Sequence, residues 1–400
     1  MIPVWVLLFL QLHLQALSST VSDPSPSNPS PSNPSPSNPS PSNPSPPWKE
    51  ITPPADLSGW KVCCGPAKYT VTDGVVCGTS VPGSPNTFLV TEKKWGDFEL
   101  EYEFKVDSKL NSGVQIRSEV ESGVMRGCQI EIDMDENRQR FWSAGIFEEG
   151  DRGWLCDLSE NAPAIAAHKL DDWNQVRVVA KGALIETRLN DVFAARTWSG
   201  KRISGVIGLQ VHGVSAQQKE PLQVRWRNIR IRDLGTHHWI PVEELPQQAD
   251  PKKTGLGPES SILLPETVRS LRLKIDKPIQ QELKIQLGDL LFEIQPKSQY
   301  AFRFPPSSEE DGLMGAFGGG TTGPSGNKAL SWEDSAIYLH DGPWGSGFEI
   351  TRSQGRFQTR KMALSTTPGP TSARKLTFST PPRKPWLLEI LVPKIPIKTP

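Results

Sequence analysis

The sequence lacks an excess of charge of either sign. Lys+Arg and Asp+Glu each number 44, so the formal net charge at pH 7 is zero. A neutral chain has no general electrostatic attraction to nucleic acid or to an anionic membrane surface. We therefore expect no nucleic-acid partner, and we expect recognition to depend on a local arrangement of side chains.

Cysteine is scarce in this chain. The five cysteines of the 400 residues are Cys63, Cys64, Cys77, Cys128 and Cys156. They are too few for a disulfide scaffold, and none has the C-x-x-C spacing of a zinc site. A bridge from Cys63 or Cys64 to Cys77 stays open, because two strands joined by a turn can bring these thiols together. Cys128 alternates with isoleucines and is expected to be a core thiol.

Long apolar runs are also missing, since none reaches the roughly 18 residues that a transmembrane helix needs. The apolar stretch over residues 4–14 is too short to span a bilayer, and Ala16-Leu17-Ser18 follows it. This pattern predicts a secretory signal over residues 1–18 and a secreted or periplasmic protein with no integral membrane segment after its removal. Because no Lys or Arg precedes the apolar run, a buried N-terminal strand remains the alternative.

Composition divides the rest of the chain into four parts. Residues 19–47 repeat a Pro/Ser/Asn pattern, which predicts a semi-extended low-complexity linker. Residues 48–235 alternate apolar and polar side chains and predict a β domain. A stretch rich in Pro, Gln and Lys over residues 236–262 predicts a second linker. Residues 263–400 predict a smaller β-rich region with disordered segments.

Alternation is clearest from Phe98 to Val106, where apolar side chains share one face and charged side chains share the other. This pattern predicts a half-buried antiparallel strand. Turn signals occur at Asp73-Gly74, Asn111-Ser112-Gly113 and Asn190-Asp191. Many short strands, separated by turns and without helical periodicity, predict an all-β sandwich or barrel.

Several predicted strands carry an unusual set of polar residues opposite their apolar ones. The residues on these outer faces are Gln115, Arg117, Gln129, Glu131, Asp133, Gln210 and His212. Planar amide, guanidinium and carboxylate groups form paired hydrogen bonds with sugar hydroxyls, so neighbouring strands of this kind predict a face that holds a sugar. An ordinary solvated outer face is the alternative.

An ordered series of short motifs resembles the 3-keto-disaccharide hydrolase domain, which is common in exported bacterial proteins. The series covers close to half of the chain and includes Asp56–Trp60, Asn111–Arg117, Gln129–Asp133, Ile207–Gly213 and Trp226–Ile229. The resemblance implies a concanavalin A-like jelly-roll sandwich that binds carbohydrate. It further implies cleavage of glycosides whose sugar carries a ketone at C3, by elimination and hydration.

This chemistry assigns expected roles to the outer-face residues. A base must remove the proton at C2, and the negative charge that forms on the C3 oxygen must be stabilised. We expect Glu131 or His212 to be the base and Asp133 to orient the other groups. Arg117 and Gln210 are expected to stabilise the enolate. The residues expected to bind substrate are Asn111, Gln115, Gln129 and Gln210.

The cofactor is left unknown by the sequence. Glu131, Asp133 and His212 have side chains that bind divalent metals, and their positions permit a shared metal without requiring it. A bound metal would stabilise the enolate directly.

A non-catalytic, lectin-like module that binds glycan is the alternative function. The low-complexity linker and the C-terminal region favour such a docking role. Trp142 and Trp154, near predicted loops, are candidates for stacking on sugar rings. A structural surface protein with an accidental polar face is the third possibility. Turnover of a 3-keto sugar distinguishes the enzyme from the other two.

Overall fold

The computed structural model describes residues 46–135 and 140–241 continuously. Beyond them it describes residues 260–263, 268, 270–275, 283–287, 290–295, 299–303, 313–318, 335–342, 345–352, 375–378 and 386–394. The predicted signal at residues 1–18, the linker up to residue 45 and much of the tail expected to contain disordered segments lie outside the described residues.

The described residues between 49 and 235 form seventeen strands and one short helix. The first strands are β1 (Lys49–Glu50), β2 (Trp60–Cys63), β3 (Lys68–Thr72), β4 (Val75–Thr79), β5 (Thr87–Thr91), β6 (Asp97–Val106), β7 (Ser112–Glu121), β8 (Val124–Ile132), β9 (Met134–Asp135) and β10 (Arg140–Phe141). They are followed by β11 (Ile146–Glu149), β12 (Gly153–Cys156), α1 (Ala162–Ala166), β13 (Asn174–Lys181), β14 (Leu184–Leu189), β15 (Val192–Trp198), β16 (Val206–Val211) and β17 (Gln223–Gly235).

Two antiparallel sheets contain most of these strands. Sheet I has the order β15-β14-β13-β6-β17-β4-β3, with β1 paired to β17. Sheet II has the order β12-β11-β8-β7-β16-β5-β2, and β9 and β10 form a separate ribbon. Many neighbouring strands are far apart in the sequence, as expected for the crossed connections of a jelly roll. The predicted all-β jelly-roll sandwich is confirmed.

The core lies between the two sheets and is built from the alternating apolar residues. Phe98, Leu100 and Phe104 of β6 are fully buried in one cluster with Ile130 of β8 and Leu209 of β16. Burial of each such side chain contributes about 1.5–3 kcal/mol relative to exposure. Since β6 belongs to sheet I and the other two strands to sheet II, this cluster joins the sheets.

Two of the predicted turns are tight hairpins. Asp73 and Gly74 connect β3 to β4 with φ values of 51° and 74°, and Asn190 and Asp191 connect β14 to β15 with φ values of 47° and 65°. Positive φ at both central residues is the geometry that matches the twist of a two-residue hairpin. Asn, Asp and Gly tolerate it best, so the sequence signal has a direct steric cause.

Two local features differ from the sequence prediction. Ser112 and Gly113 belong to β7, because β8 and β16 pair with this strand from both sides. The helix α1 was not expected; Asn161 caps it by accepting a hydrogen bond from Ala164 N. No helix among the described residues is long and apolar enough to cross a membrane.

Strands also occupy the C-terminal region, including both ends of the segment predicted as a linker over residues 236–262. They are β18 (His237–Pro241), β19 (Ser260–Leu263), β20 (Ser270–Ile275), β21 (Leu283–Leu287), β22 (Leu290–Gln295), β23 (Gln299–Arg303), β24 (Leu313–Gly318), β25 (Ser335–Gly342), β26 (Gly345–Arg352), β27 (Lys375–Phe378) and β28 (Trp386–Pro393). One sheet has the order β18-β28-β20-β25-β26 and the other β19-β27-β21-β22-β23-β24. Pairing with β28 makes β18 part of this region.

None of the five cysteines forms a disulfide. Cys63 ends β2 in sheet II, whereas Cys77 lies on β4 in sheet I, so the two thiols that were candidates for a bridge belong to opposite sheets. Cys128 is buried in the core between the sheets, as predicted.

Candidate functional site

A cavity of about 670 Å³ lies on the outer face of sheet II, the face turned away from sheet I. Four strand ends meet there. Asn86 precedes β5, Asn111 precedes β7, Asp133 follows β8 and His212 follows β16. Because β8, β7, β16 and β5 are antiparallel neighbours, the starts of β7 and β5 lie beside the ends of β8 and β16. All four residues line the cavity.

The polar residues on this face are not solvated. The exposed fractions are 0% for Gln115, 2% for Gln129, 4% for Glu131 and 0% for Gln210. A second apolar cluster covers part of the same face and consists of Phe88, Val90 and Met125. The alternative of an ordinary solvated outer face is therefore excluded for these four polar residues.

A chain of hydrogen bonds runs across β7 and β8 and ends on Glu131. Ser118 Oγ donates to Gln115 Oε1 (2.8 Å), and Gln115 Nε2 donates to Gln129 Oε1 (2.7 Å). Gln129 Nε2 then donates to Glu131 Oε2 (2.9 Å), while Asn111 Nδ2 donates to Glu131 Oε1. Gln115 and Gln129 each use their amide oxygen and one N–H, so the carboxylate of Glu131 is held in a fixed orientation.

Gly113 provides the space for this arrangement. It lies opposite Glu131 in the register of β7 and β8. A Cβ atom at this position would lie 2.5 Å from both Cγ and Cδ of Gln129. Only glycine therefore lets the Gln129 side chain lie across β7 and reach Glu131.

The Glu131 carboxyl titrates close to neutral pH. Burial raises its pKa from 4.5 to about 7, and the negative charge of Asp133 acts in the same direction. The hydrogen bonds from Asn111 and Gln129 and the positive charge of Arg140 lower the pKa and offset only part of this effect. A carboxyl group with a pKa near 7 is suited to accept a proton at physiological pH.

Asp133 forms an ion pair with Arg140, which lies on the β9–β10 ribbon at the cavity wall. The Arg140 guanidinium also lies over the ring of Trp142, 5.3 Å from its centroid. The ion pair fixes the Asp133 side chain near Glu131 and places a cation next to the cavity.

A second cluster of polar side chains also lines the cavity. It consists of Asn86, Glu149 and His212. Asn86 Nδ2 donates to Glu149 Oε1 (3.2 Å), and Asn86 Oδ1 accepts a hydrogen bond from Gly213 N (2.9 Å). Burial raises the pKa of Glu149, while the hydrogen bond from Asn86 and the charge of His212 oppose the rise.

Aromatic side chains complete the cavity wall. Phe147 and Trp154 line it, with ring centroids 5.4 Å apart and the rings edge to face. Trp142 packs edge-on against Trp154, with centroids 5.0 Å apart. Of the two tryptophans expected to stack on sugars, Trp154 therefore lines the cavity, and Trp142 supports it from behind.

Arg117 does not reach the cavity. A register shift in the pairing of β7 with β8, between Ile116 and Glu119, and a φ of 48° at Arg117 turn its side chain inward. The fully buried guanidinium donates to Gly96 O (2.7 Å) and Gly182 O (2.5 Å) and pairs with Asp97 (2.9 Å). Burial lowers the pKa of Arg117 to about 10 against the opposing effect of Asp97, so it remains charged at neutral pH.

Gln210 lies on the predicted face but beneath the cavity surface. It pairs with Gly113 on one side and Phe88 on the other, and its backbone oxygen accepts a hydrogen bond from Ser112 Oγ. Its side-chain amide has no hydrogen-bond partner among the described residues. Gln115 is similarly covered and contacts the site only through Gln129.

Of the predicted site residues, Glu131, Asp133, His212, Asn111 and Gln129 therefore line one cavity. The sequence prediction missed other residues of its lining, among them Asn86, Lys109, Arg140, Phe147 and Glu149. Asn86 and Lys109 lie in connections between strands, where alternation gives no signal. Only the tertiary structure brings Asn86 to Glu149, which is 63 positions away. The sequence signal available for Glu149 was its place two residues after Phe147 on one strand face.

The metal site considered for Glu131, Asp133 and His212 does not form in this arrangement. In the described part of the chain, no three His, Cys, Asp or Glu side chains lie close enough together to hold a metal ion. Glu131 and Asp133 are instead occupied by amide and guanidinium donors.

Part of the chain is similar to several solved structures. A candidate glycosyl hydrolase from Parabacteroides distasonis is 20% identical, covers 47% of this chain and 99% of its own, and has a TM-score of 0.34. A carbohydrate-binding module from Bacillus subtilis is 12% identical, with 44% and 96% coverage and a TM-score of 0.34. A Bacillus subtilis protein of unknown function with a galectin-like fold is 10% identical, with 46% and 98% coverage and a TM-score of 0.36.

Comparison with family models identifies the sandwich itself. No curated protein matches the chain significantly. Residues 47–232 match the family model described as the 3-keto-alpha-glucoside-1,2-lyase-like domain. This range contains the whole motif series and all the cavity residues discussed above. The resemblance of the motif series to this family is confirmed over residues 47–232.

Proposed function

We propose that the domain cleaves glycosides whose sugar carries a ketone at C3, with Glu131 as the base that removes the C2 proton. The observation that carries this proposal is Glu131 itself. It is a buried carboxyl group at the cavity, held by two amide donors, and its pKa is raised to about 7. The family relationship points to the same substrate class.

The ketone explains why such a modest base suffices. A carbonyl at C3 acidifies the C2 proton, because the electron pair left behind is delocalised onto the carbonyl oxygen as an enolate. Collapse of the enolate forms a C1–C2 double bond and expels the substituent at C1. Addition of water then places oxygen on C1 and a proton on C2, and the net reaction is hydrolysis.

The cavity contains cations for the C3 oxygen. Arg117 was expected in this role, but its contacts lie between the sheets. Lys109 and Arg140 line the cavity instead. We assign stabilisation of the enolate to these two side chains, with Arg140 oriented by Asp133. Trp154 and Phe147 provide an apolar wall on which a sugar ring can stack.

The direct test compares a 3-keto-disaccharide with its unoxidised parent. The purified protein is expected to release free sugar from the keto form only, because the parent lacks the acidic C2 proton. Saturable binding of either compound without release of sugar would contradict the proposed activity and favour a lectin-like module.

The reaction should depend on pH through Glu131. The base must be ionised, and its raised pKa means that the ionised fraction falls as the pH drops below about 7. We expect kcat/KM to decrease about tenfold per pH unit on the acid side. A profile that stays flat down to pH about 5 would show that the base has an ordinary carboxyl pKa and is a different residue.

We also propose that residues 1–18 direct export. The support is the apolar stretch with its Ala16-Leu17-Ser18 end. The mature protein should then begin at Ser19 in an intact-mass measurement, and retention of Met1 in the exported protein would contradict this.

A further inference from the structure

Glu149 is a further carboxyl group in the cavity that Glu131, Asp133 and Asp135 also line. It ends β11 and lies two residues after Phe147, so both side chains point to the outer face of sheet II. Asn86 fixes its position by donating to Oε1 while accepting from Gly213 N. The Asn86 side chain therefore connects Glu149, through hydrogen bonds, to the segment that contains His212.

The tautomer of His212 follows from its contact. Its Nδ1 lies 2.8 Å from Gly213 O. A carbonyl oxygen can only accept, so Nδ1 carries the proton and Nε2 has a lone pair in the neutral ring. His212 favours the ionised form of Glu149 electrostatically. Both side chains line the same cavity.

The elimination needs such a proton. The leaving oxygen of a disaccharide would depart as a strongly basic alkoxide unless an acid protonated it. Asp133 is a poor donor, because its ion pair with Arg140 favours the carboxylate over the protonated acid. Glu131 is assigned to removal of the C2 proton, so it cannot protonate the leaving oxygen in the same step. Glu149 is the remaining carboxyl group that has a raised pKa in this cavity.

We propose that Glu149, positioned by Asn86 beside His212, donates the proton to the leaving oxygen at C1; this rests on the proposed function. Glu131 takes the C2 proton, the C1–O bond breaks with its electron pair, and that oxygen receives the proton of Glu149. In the hydration step, ionised Glu149 accepts a proton from the attacking water, and Glu131, whose carboxyl proton exchanges with solvent between the two steps, delivers a proton to C2. Both carboxyl groups end as they began.

The test uses Glu149→Gln and two 3-keto-glucosides that differ only in their leaving group. Gln retains an oxygen that can accept from Asn86 Nδ2 but has no acidic proton. With an alkyl or sugar leaving group, kcat/KM is expected to fall about 10²- to 10⁴-fold. With a nitrophenyl leaving group, which departs without protonation, the change should be less than about threefold.

A control variant accompanies the comparison of the two leaving groups. Glu160→Gln, which changes an exposed glutamate outside the cavity, should leave both rates unchanged. Equal losses on the two substrates, or no loss on either, would overturn the role of Glu149. Failure of the unmodified protein to cleave both 3-keto substrates would instead overturn the proposed function, and the role of Glu149 with it.

The pH profile provides a second measurement. Glu149 must keep its proton to act as an acid, so its contribution is lost as the pH rises. For the alkyl leaving group, kcat/KM should decline on the alkaline side. With the nitrophenyl leaving group, or in Glu149→Gln, this decline should be absent. A decline that persists in Glu149→Gln would assign the acid to another group.

Discussion

Replacing Glu131 by Gln is expected to lower kcat/KM for a 3-keto-disaccharide by about 10²- to 10⁴-fold, whatever the leaving group. Gln has nearly the same shape but cannot accept the C2 proton at neutral pH. The loss should appear in kcat rather than in KM, because Asn111 and Gln129 remain in the cavity to contact the substrate. Steady-state kinetics with the purified variant measures both parameters.

Two comparisons separate this effect from misfolding. The thermal transition of Glu131→Gln should stay within a few degrees of that of the unmodified protein, and its affinity for the unoxidised disaccharide should be unchanged. Glu160→Gln should have full activity. If Glu131→Gln retains more than a tenth of the original kcat/KM, the base is another residue, with His212 the next candidate.

Replacing Arg117 by Met should destabilise the sandwich by about 3–5 kcal/mol, because it leaves Asp97 buried without its guanidinium partner. The side chains of Arg117 and Asp97 are 0% and 3% exposed, respectively. The substitution also removes the donors to Gly96 O and Gly182 O. Urea denaturation followed by tryptophan fluorescence measures the free energy of unfolding.

Arg177→Met is the matched control for this prediction. Arg177 also pairs with a carboxylate, Glu99, at 2.9 Å, but 43% of its side chain is exposed. Such surface pairs contribute about 0–1 kcal/mol. If both variants lost the same small amount, the Arg117 pair would not stabilise the fold. If Arg117→Met kept its stability but lost turnover, the original expectation of an enolate contact would be restored.

The strands were predictable because their physical cause is local. Alternation in β6 follows from one buried and one exposed face, and the Asp73-Gly74 turn follows from steric limits on φ. The same local rule placed Gln129 and Glu131 on one face of β8. These two side chains lie near Asn111 and His212 because β7, β8 and β16 are neighbours in sheet II.

Arg117 shows where alternation fails. Its strand contains a shifted register and one residue with positive φ, which reverses the direction of a single side chain. A strict period of two does not include such an irregularity. The ion pair with Asp97 could not be found from the sequence either, since the partners are 20 positions apart on different sheets.

Glu149 and Asn86 show a second limit. Neither belongs to a clearly alternating segment, and their contact depends on the order of strands in sheet II. Local patterns identify which face a side chain occupies but do not identify its neighbours across the sheet. The family resemblance indicated the expected chemistry in general terms, while the proposed pairing of Glu131 with Glu149 required the three-dimensional arrangement.

The central claim is that cleavage proceeds through removal of the C2 proton. The most direct measurement is turnover of a 3-keto-disaccharide in D2O, with the released 3-keto sugar analysed by NMR at early times. Elimination followed by hydration predicts deuterium at C2 of the product, beyond the exchange seen when the product alone is incubated with the protein. Release of sugar with hydrogen retained at C2 would show direct displacement at C1 and contradict the account.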